Sequence, residues 1–154
     1  YRPMEFYAAF FTVAPGGFDA AIVMRGRRFL MNTMKEIEKK GNEATQKEKE
    51  MLSSLQLANE CLARGIAFLP VDLYKSDSHA FLPENGKIRL PFSSLSGLGE
   101  SAAEKIIEAR KDGEFLSKED LQHRTGITKA VIETLTQSGV LSALSETNQI
   151  TFAF

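Results

Sequence analysis

The 154-residue, 17.1 kDa chain is long enough for one compact domain or two small ones. Apolar residues at 43% and charged residues at 25% exclude a disordered or collagen-like chain, and 19 basic against 20 acidic side chains give a net charge of −1, which carries no polyanion-binding signal in bulk. No run approaches the roughly 18–20 apolar residues of a membrane span, and the single cysteine, Cys61, excludes an internal disulfide and fits a reducing, cytoplasmic setting.

The chain opens at Tyr1 rather than at methionine and reads as a piece of something longer. Residues 4–13 are predicted as a short helix, and 18–40 as a longer one ending near Gly41, with Lys39 and Lys40 at the negative end of its dipole. Met51, Leu55, Ala58 and Leu62 then recur at helical spacing. Thr45 and Glu48 form a capping box at the start of that helix, and Gly65 is placed to end it. Residues 1–65 therefore read as a helical bundle or the edge of one.

From Ile66 the texture changes. Ile66-Ala67-Phe68-Leu69 and Val71-Asp72-Leu73-Tyr74 are extended candidates separated by Pro70, which has no N–H for a ladder. Ala80-Phe81-Leu82 and Ile88-Arg89-Leu90 flank Asn85-Gly86, a dipeptide suited to the positive dihedrals of a tight hairpin turn. A small antiparallel sheet is expected over residues 66–94.

Residues 95–144 carry the most specific pattern. Gly97-Leu98-Gly99 lets the backbone turn sharply before a helix that runs through Ala103, Ile106, Ile107 and Arg110. Ser117 to Asp120 has capping-box character, and Thr125-Gly126-Ile127-Thr128-Lys129 forms a second turn that leads a helix towards Gly139. The turns lie about 29 residues apart, with Thr128 standing where the first copy has its second glycine. Two such helix-hairpin-helix units would pack as a pseudo-symmetric pair around Phe115, Leu121, Val140 and Leu141. Each would offer free backbone N–H groups at a helix N-terminus to a phosphate oxygen, a contact blind to base sequence. The candidate DNA-contacting residues are Ser96, Gly97, Leu98, Gly99, Glu100, Ser101 and Lys105 at the first hairpin, with Thr125, Gly126, Ile127, Thr128 and Lys129 at the second. A Gly-x-Gly alone is also a common helix-entry turn, so the whole set carries the reading. Six basic and eight acidic residues in this stretch imply few lysine–phosphate contacts and weak binding.

Elsewhere the residues read plainly. Arg25, Arg27 and Arg28 fit a solvated helix face, and Cys61 fits a packing position. His79 and His123 lack metal-ligand spacing, and Asp72 and Asp77 border a loop without a partner motif. No catalytic and no metal-binding residue is expected.

Tyr1-Arg2-Pro3-Met4-Glu5-Phe6-Tyr7-Ala8, Lys40-Gly41-Asn42-Glu43-Ala44, Lys47-Glu48-Lys49, Val71-Asp72-Leu73-Tyr74-Lys75-Ser76, Gly97-Leu98-Gly99 and the run Gly113-Glu114-Phe115-Leu116-Ser117-Lys118-Glu119-Asp120-Leu121 stand in order along the chain. Together they resemble the carboxy-terminal end of a bacterial C-family replicative DNA polymerase of the PolC type. The resemblance implies a mainly α chain with a small antiparallel β-hairpin. It divides into a helical fingers segment (1–65), a β segment (66–94), a tandem helix-hairpin-helix module that grips duplex DNA (95–144) and an extended tail (145–154). It implies a nucleotidyltransferase whose palm carboxylates and divalent metal, Mg, lie upstream, leaving this piece without a cofactor. The implied partners are duplex DNA, the rest of the polymerase chain and the sliding clamp, and the implied setting is the bacterial cytoplasm at the nucleoid. Gln149, Ile150, Thr151, Phe152 and Phe154 resemble a clamp-binding peptide in which the amide makes paired polar contacts and the apolar side chains fill pockets; Phe152 stands where leucine is usual. The alternative is a stand-alone helix-hairpin-helix scaffold or DNA-repair module.

Overall fold

The computed structural model describes residues 4–13 and 18–146. Its elements in order are α1 (Met4–Val13), α2 (Ala20–Val23), α3 (Arg27–Lys40), α4 (Gln46–Ala63), β1 (Phe68–Leu69), β2 (Leu82–Glu84), β3 (Lys87–Arg89), α5 (Glu100–Arg110), α6 (Lys118–Thr125) and α7 (Lys129–Gln137). Short 3-10 turns precede α4 at Gly41–Glu43 and α5 at Phe92–Ser94. The expected mainly α class with a small β element is what the chain adopts.

Local chemistry explains most boundaries. At the start of α4, the Glu48 N–H donates to Thr45 Oγ1 at 3.1 Å and the Thr45 N–H donates to Glu48 Oε1 at 3.0 Å, so the capping box is closed from both sides. The Glu48 carboxyl is held below its usual range, first by the Lys40 ammonium that donates to it and then by the Thr45 N–H. What this contributes to the helix start is present above the ordinary carboxyl range and is lost as pH falls through the lowered value. The helix expected over 18–40 is broken, because Gly26 takes φ +101 and its neighbours form two helices, the first capped by Asp19 accepting from the Ala21 N–H at 2.9 Å. Burial lifts the Cys61 thiol to about 12, which makes it an inert packing group.

The sheet is mixed rather than purely antiparallel. Asn85 (φ 50) and Gly86 (φ 81) both take positive φ and turn β2 into β3 as an antiparallel hairpin, with Leu82 opposite Arg89 and Glu84 opposite Lys87. β1 runs parallel to β3, pairing Phe68 with Ile88. The connection from 70 to 81 crosses back before β2 starts, and a parallel neighbour requires such a crossover. That connection also replaces the expected strand at 71–74. Asp72 Oδ1 accepts from the Tyr74 and Lys75 N–H groups at 2.8 and 3.0 Å, and this side-chain turn outcompetes extension.

One contiguous apolar core runs from Tyr7 in α1 to Leu141 after α7. Phe11 meets Phe18, Phe68 and Phe81 at ring-centroid distances of 5.1, 5.7 and 5.4 Å, tying α1 to the sheet. The turn at 72–76 links the sheet to the last three helices. Buried Ser76 accepts from the Asp72 N–H and donates to the Leu90 carbonyl at 2.7 Å. Arg110 of α5 donates to the carbonyls of Leu73 and Ser76 at 3.2 and 2.7 Å, and the Phe115 N–H donates to Tyr74 Oη at 3.1 Å. No helix among the described residues is long and apolar enough to cross a membrane.

Candidate nucleic-acid interface

Two turns repeat one backbone geometry. Gly97 has φ +89 and Gly126 has φ +73, conformations that L side chains avoid. Leu98 and Ile127 follow and are 9% and 5% exposed, so each hairpin is pinned to the core by its middle side chain. The third residues, Gly99 (φ −78, ψ 158) and Thr128 (φ −76, ψ 163), share one extended conformation and cap α5 and α7. Thr128 therefore copies Gly99 without strain, since only the first position of each hairpin needs glycine. A Cβ built on Gly99 would meet nothing within 4 Å.

The caps differ in one respect. Thr128 Oγ1 accepts from the Val131 N–H at 3.3 Å, whereas Gly99 makes no side-chain cap. The first turn of α5 thus presents more unsatisfied backbone N–H groups than that of α7. The leading helices differ too. α6 precedes the second hairpin, while the first is preceded only by the 3-10 turn at Phe92–Ser94.

The candidate residues sort into anchors and exposed groups. Leu98, Thr125 and Ile127 are buried, and Thr125 Oγ1 donates to the Leu121 carbonyl at 2.6 Å while accepting from the Ile127 N–H at 3.4 Å. Their side chains set the hairpins and face inwards. Ser96, Gly97, Gly99, Glu100, Ser101, Gly126, Thr128 and Lys129 are exposed around the two turns. Lys105 is also exposed, but it lines an open cleft with Thr125 and Arg124, beside the second hairpin rather than its own. Conversely, a Cβ on Gly97 would lie 3.6 Å from Thr134 Oγ1 of α7. Lys105 and Thr134 occupy matching positions, 29 residues apart; Thr134 lies beside the first hairpin and Lys105 lines the cleft beside the second.

Three arginines that composition alone would offer to a polyanion are engaged inside the protein. Arg89 forms a two-pronged pair with Glu84 at 2.8 and 2.9 Å and donates to the Pro70 carbonyl. Arg110 is held by Leu73 and Ser76 as above; burial lowers its pKa, with Asp77 and Asp72 opposing. Arg124 donates to the carbonyls of Ala109, Gly113 and Glu114 at 2.7, 3.1 and 3.0 Å and lies over the Phe115 ring at 4.4 Å. Lys111 pairs with Glu108 and Lys118 with Glu146, which leaves Lys105 and Lys129 as the cations of 95–144 that face solvent unpaired among the described residues. The structural work of Arg124 escaped sequence reasoning, although a cation in the last turn before Gly126 was a signal. The tail residues Gln149, Ile150, Thr151, Phe152 and Phe154 lie outside the described residues.

Comparison with known proteins fits this geometry. The family model described as a helix-hairpin-helix motif matches residues 65–150. The chain is 45% identical over 150 residues to a PolC-type DNA polymerase III of Pediococcus pentosaceus, covering 97% of this chain and 10% of the relative. A protein of the same name from Listeria innocua is 43% identical over 97% of this chain and 10% of the relative. That of Thermotoga maritima is 43% identical over 98% of this chain and 11% of the relative. The chain spans about a tenth of the length of the curated relatives it matches.

Proposed function

Because the chain belongs to the helix-hairpin-helix family, we propose that it is the duplex-gripping, carboxy-terminal part of a PolC-type bacterial replicative DNA polymerase. The observation that carries this reading is the pair of hairpins with matched dihedrals, exposed first turns and buried middle residues. Such turns hold backbone N–H groups outwards on a rigid base, where a phosphate oxygen satisfies them without regard to sequence. The matching backbone dihedrals at Gly99 and Thr128 support two contacts rather than one. The polymerising chemistry belongs to residues outside this sequence, as does the divalent metal that nucleotide transfer requires. The working place of such a protein is the bacterial cytoplasm, on the chromosome.

The test is anisotropy of labelled duplexes of unrelated sequence over a salt series. Equal affinities are expected across sequences, with log K falling against log salt at a shallow slope of about −2 to −3, because few exposed cations take part. Absence of binding at low salt favours the scaffold reading.

The tail supplies a second contact. Gln149 followed by Ile150, Phe152 and Phe154 suits a short extended peptide filling apolar pockets on the sliding clamp. Deleting 149–154 is expected to abolish association with the bacterial clamp in a pull-down, while the circular dichroism spectrum stays unchanged. Retained clamp binding by the truncated chain would remove this assignment.

A further inference from the structure

α1 is apolar on both of its long faces. Tyr7, Ala8 and Phe11 are buried in the core, and the Thr12 hydroxyl, which accepts from the Phe81 N–H at 3.0 Å, ties the helix to the residue before β2. The opposite face carries Phe6, Ala9, Phe10 and Val13, whose spacing places them on one stripe about 100° wide. Phe6 and Val13 are 42% and 79% exposed, Ala9 is exposed and Phe10 is half-buried. Glu5 is the sole charged residue of the helix and lies to one side of the stripe. A surface helix buries one such stripe and turns polar side chains outwards, whereas a helix that is apolar all round belongs between two layers. Apolar side chains exposed singly are ordinary, but a run of them at helical spacing is a contact face.

Among the described residues, α4, β2 and β3 pack on α1 and form its inner layer, while the outer stripe stays largely open. The curated relatives are about ten times as long as this chain, so about nine tenths of their polypeptide lies outside the present sequence. Met4 stands three residues after Tyr1, so polypeptide joined ahead of Tyr1 is tethered within about 10 Å of the head of α1. A segment held that close meets the helix at high effective concentration. A nucleic acid is a poor occupant, because α1 offers a carboxylate and no cation.

We propose that the outer stripe of α1 is the face on which the polypeptide preceding Tyr1 in the parent polymerase docks, setting an apolar helix face or groove against Phe6, Phe10 and Val13. This rests on the polymerase reading above and deepens it by naming the surface through which this part joins the rest. The docked segment presents aliphatic or aromatic side chains, since a charge buried against this stripe finds only Glu5 beside it. α1 then lies between two layers, with the core behind it and the preceding chain in front, as its composition requires.

The test is the rate at which Val13→Cys reacts with a small maleimide, in the 154-residue chain and in the full-length protein that carries it, read by mass spectrometry of the peptide spanning α1. The natural thiol, Cys61, is buried and lies on another element. Leu116→Cys, at a position 72% exposed, is the control. Val13→Cys is expected to react about tenfold more slowly in the full-length protein, because a covered thiol reacts only when its contact opens. Leu116→Cys is expected to react equally in both. Equal rates for Val13→Cys overturn the proposal, and so does an equal slowing of Leu116→Cys. Slow reaction of Val13→Cys in the short chain overturns it too: a rate that rises on dilution assigns the face to a second copy, and one that does not assigns it to the chain itself. Primer extension by the full-length protein is measured alongside. Failure to extend primers removes the polymerase reading and this assignment with it, whereas equal labelling in a protein that extends them removes the docking face alone.

Discussion

Gly97→Val is expected to weaken duplex binding by about tenfold, equivalent to about 1.4 kcal/mol, while α5 and α7 still form. The cause is backbone conformation. Gly97 sits at φ +89, where a β-branched side chain is strained by roughly 1–3 kcal/mol. Its Cβ would also touch Thr134 Oγ1 at 3.6 Å, and the γ-methyls of valine extend further into α7. The turn relaxes by rotating the peptide that leads into α5, and the N–H groups at its head lose their aim. Gly99→Thr is the control. At φ −78 with open space around the Cβ, it keeps the turn's conformation, so affinity is expected to fall less than in Gly97→Val, by what capping one N–H of α5 removes. Anisotropy with a labelled duplex reads the affinity, and far-UV circular dichroism reads the helices. Equal affinity of a folded Gly97→Val chain would remove the first hairpin from duplex binding.

The contrast between those two glycines shows what the sequence could and could not disclose. Motif reading treats Gly97-Leu98-Gly99 as one unit and scores Thr128 as a departure. The structure separates a position that needs positive φ from one that does not. Features set within a few residues were legible in this way: the Thr45–Glu48 box, the Asn85-Gly86 turn and the Ser117 cap of α6, whose Oγ accepts from the Asp120 N–H at 3.0 Å. Features set by distant partners were not. β1 lies parallel to β3 because the crossover through 70–81 brings it there, and no local pattern encodes that neighbour. Val71 to Tyr74 has strand composition, yet Asp72 captures the following N–H groups and Tyr74 meets Phe115, 41 positions away. Lys105 belongs in sequence to the first unit and in space to the cleft beside the second. The break at Gly26 was local and was missed because apolar periodicity runs on through it.

Arg124→Ala is expected to lower stability by about 2–4 kcal/mol, the sum of several charge-assisted hydrogen bonds and one ring contact that are only partly additive. Arg124 gathers three carbonyls of the turn that follows α5, adding to that turn's own backbone bonds. Its Nη2 takes the Ala109 carbonyl near the end of α5 and that of Gly113 in the following turn, while Nη1 takes that of Glu114. The Ala109 carbonyl, which already accepts from the Asp112 N–H at 3.1 Å, gains a charged second donor, and the guanidinium sits at the favourable end of α6. Its plane also covers Phe115, whose other neighbour is the stacked Tyr74 ring at 6.0 Å. The alanine variant strips partners from the 109–114 turn and uncovers Phe115. For a chain of this length the loss corresponds to a melting temperature lower by roughly 5–15 °C. Arg124→Lys is expected to recover only part of it, since an ammonium cannot reach three carbonyls in a planar fork. The contribution of the nearby Asp120 carboxylate, at 3.4 Å, is Coulombic and screened by salt, whereas the carbonyl bonds are not. Thermal unfolding at low and high salt separates the two. A penalty that survives high salt identifies the carbonyl fork as the stabilising contact, and one that disappears assigns the role to the ion pair instead.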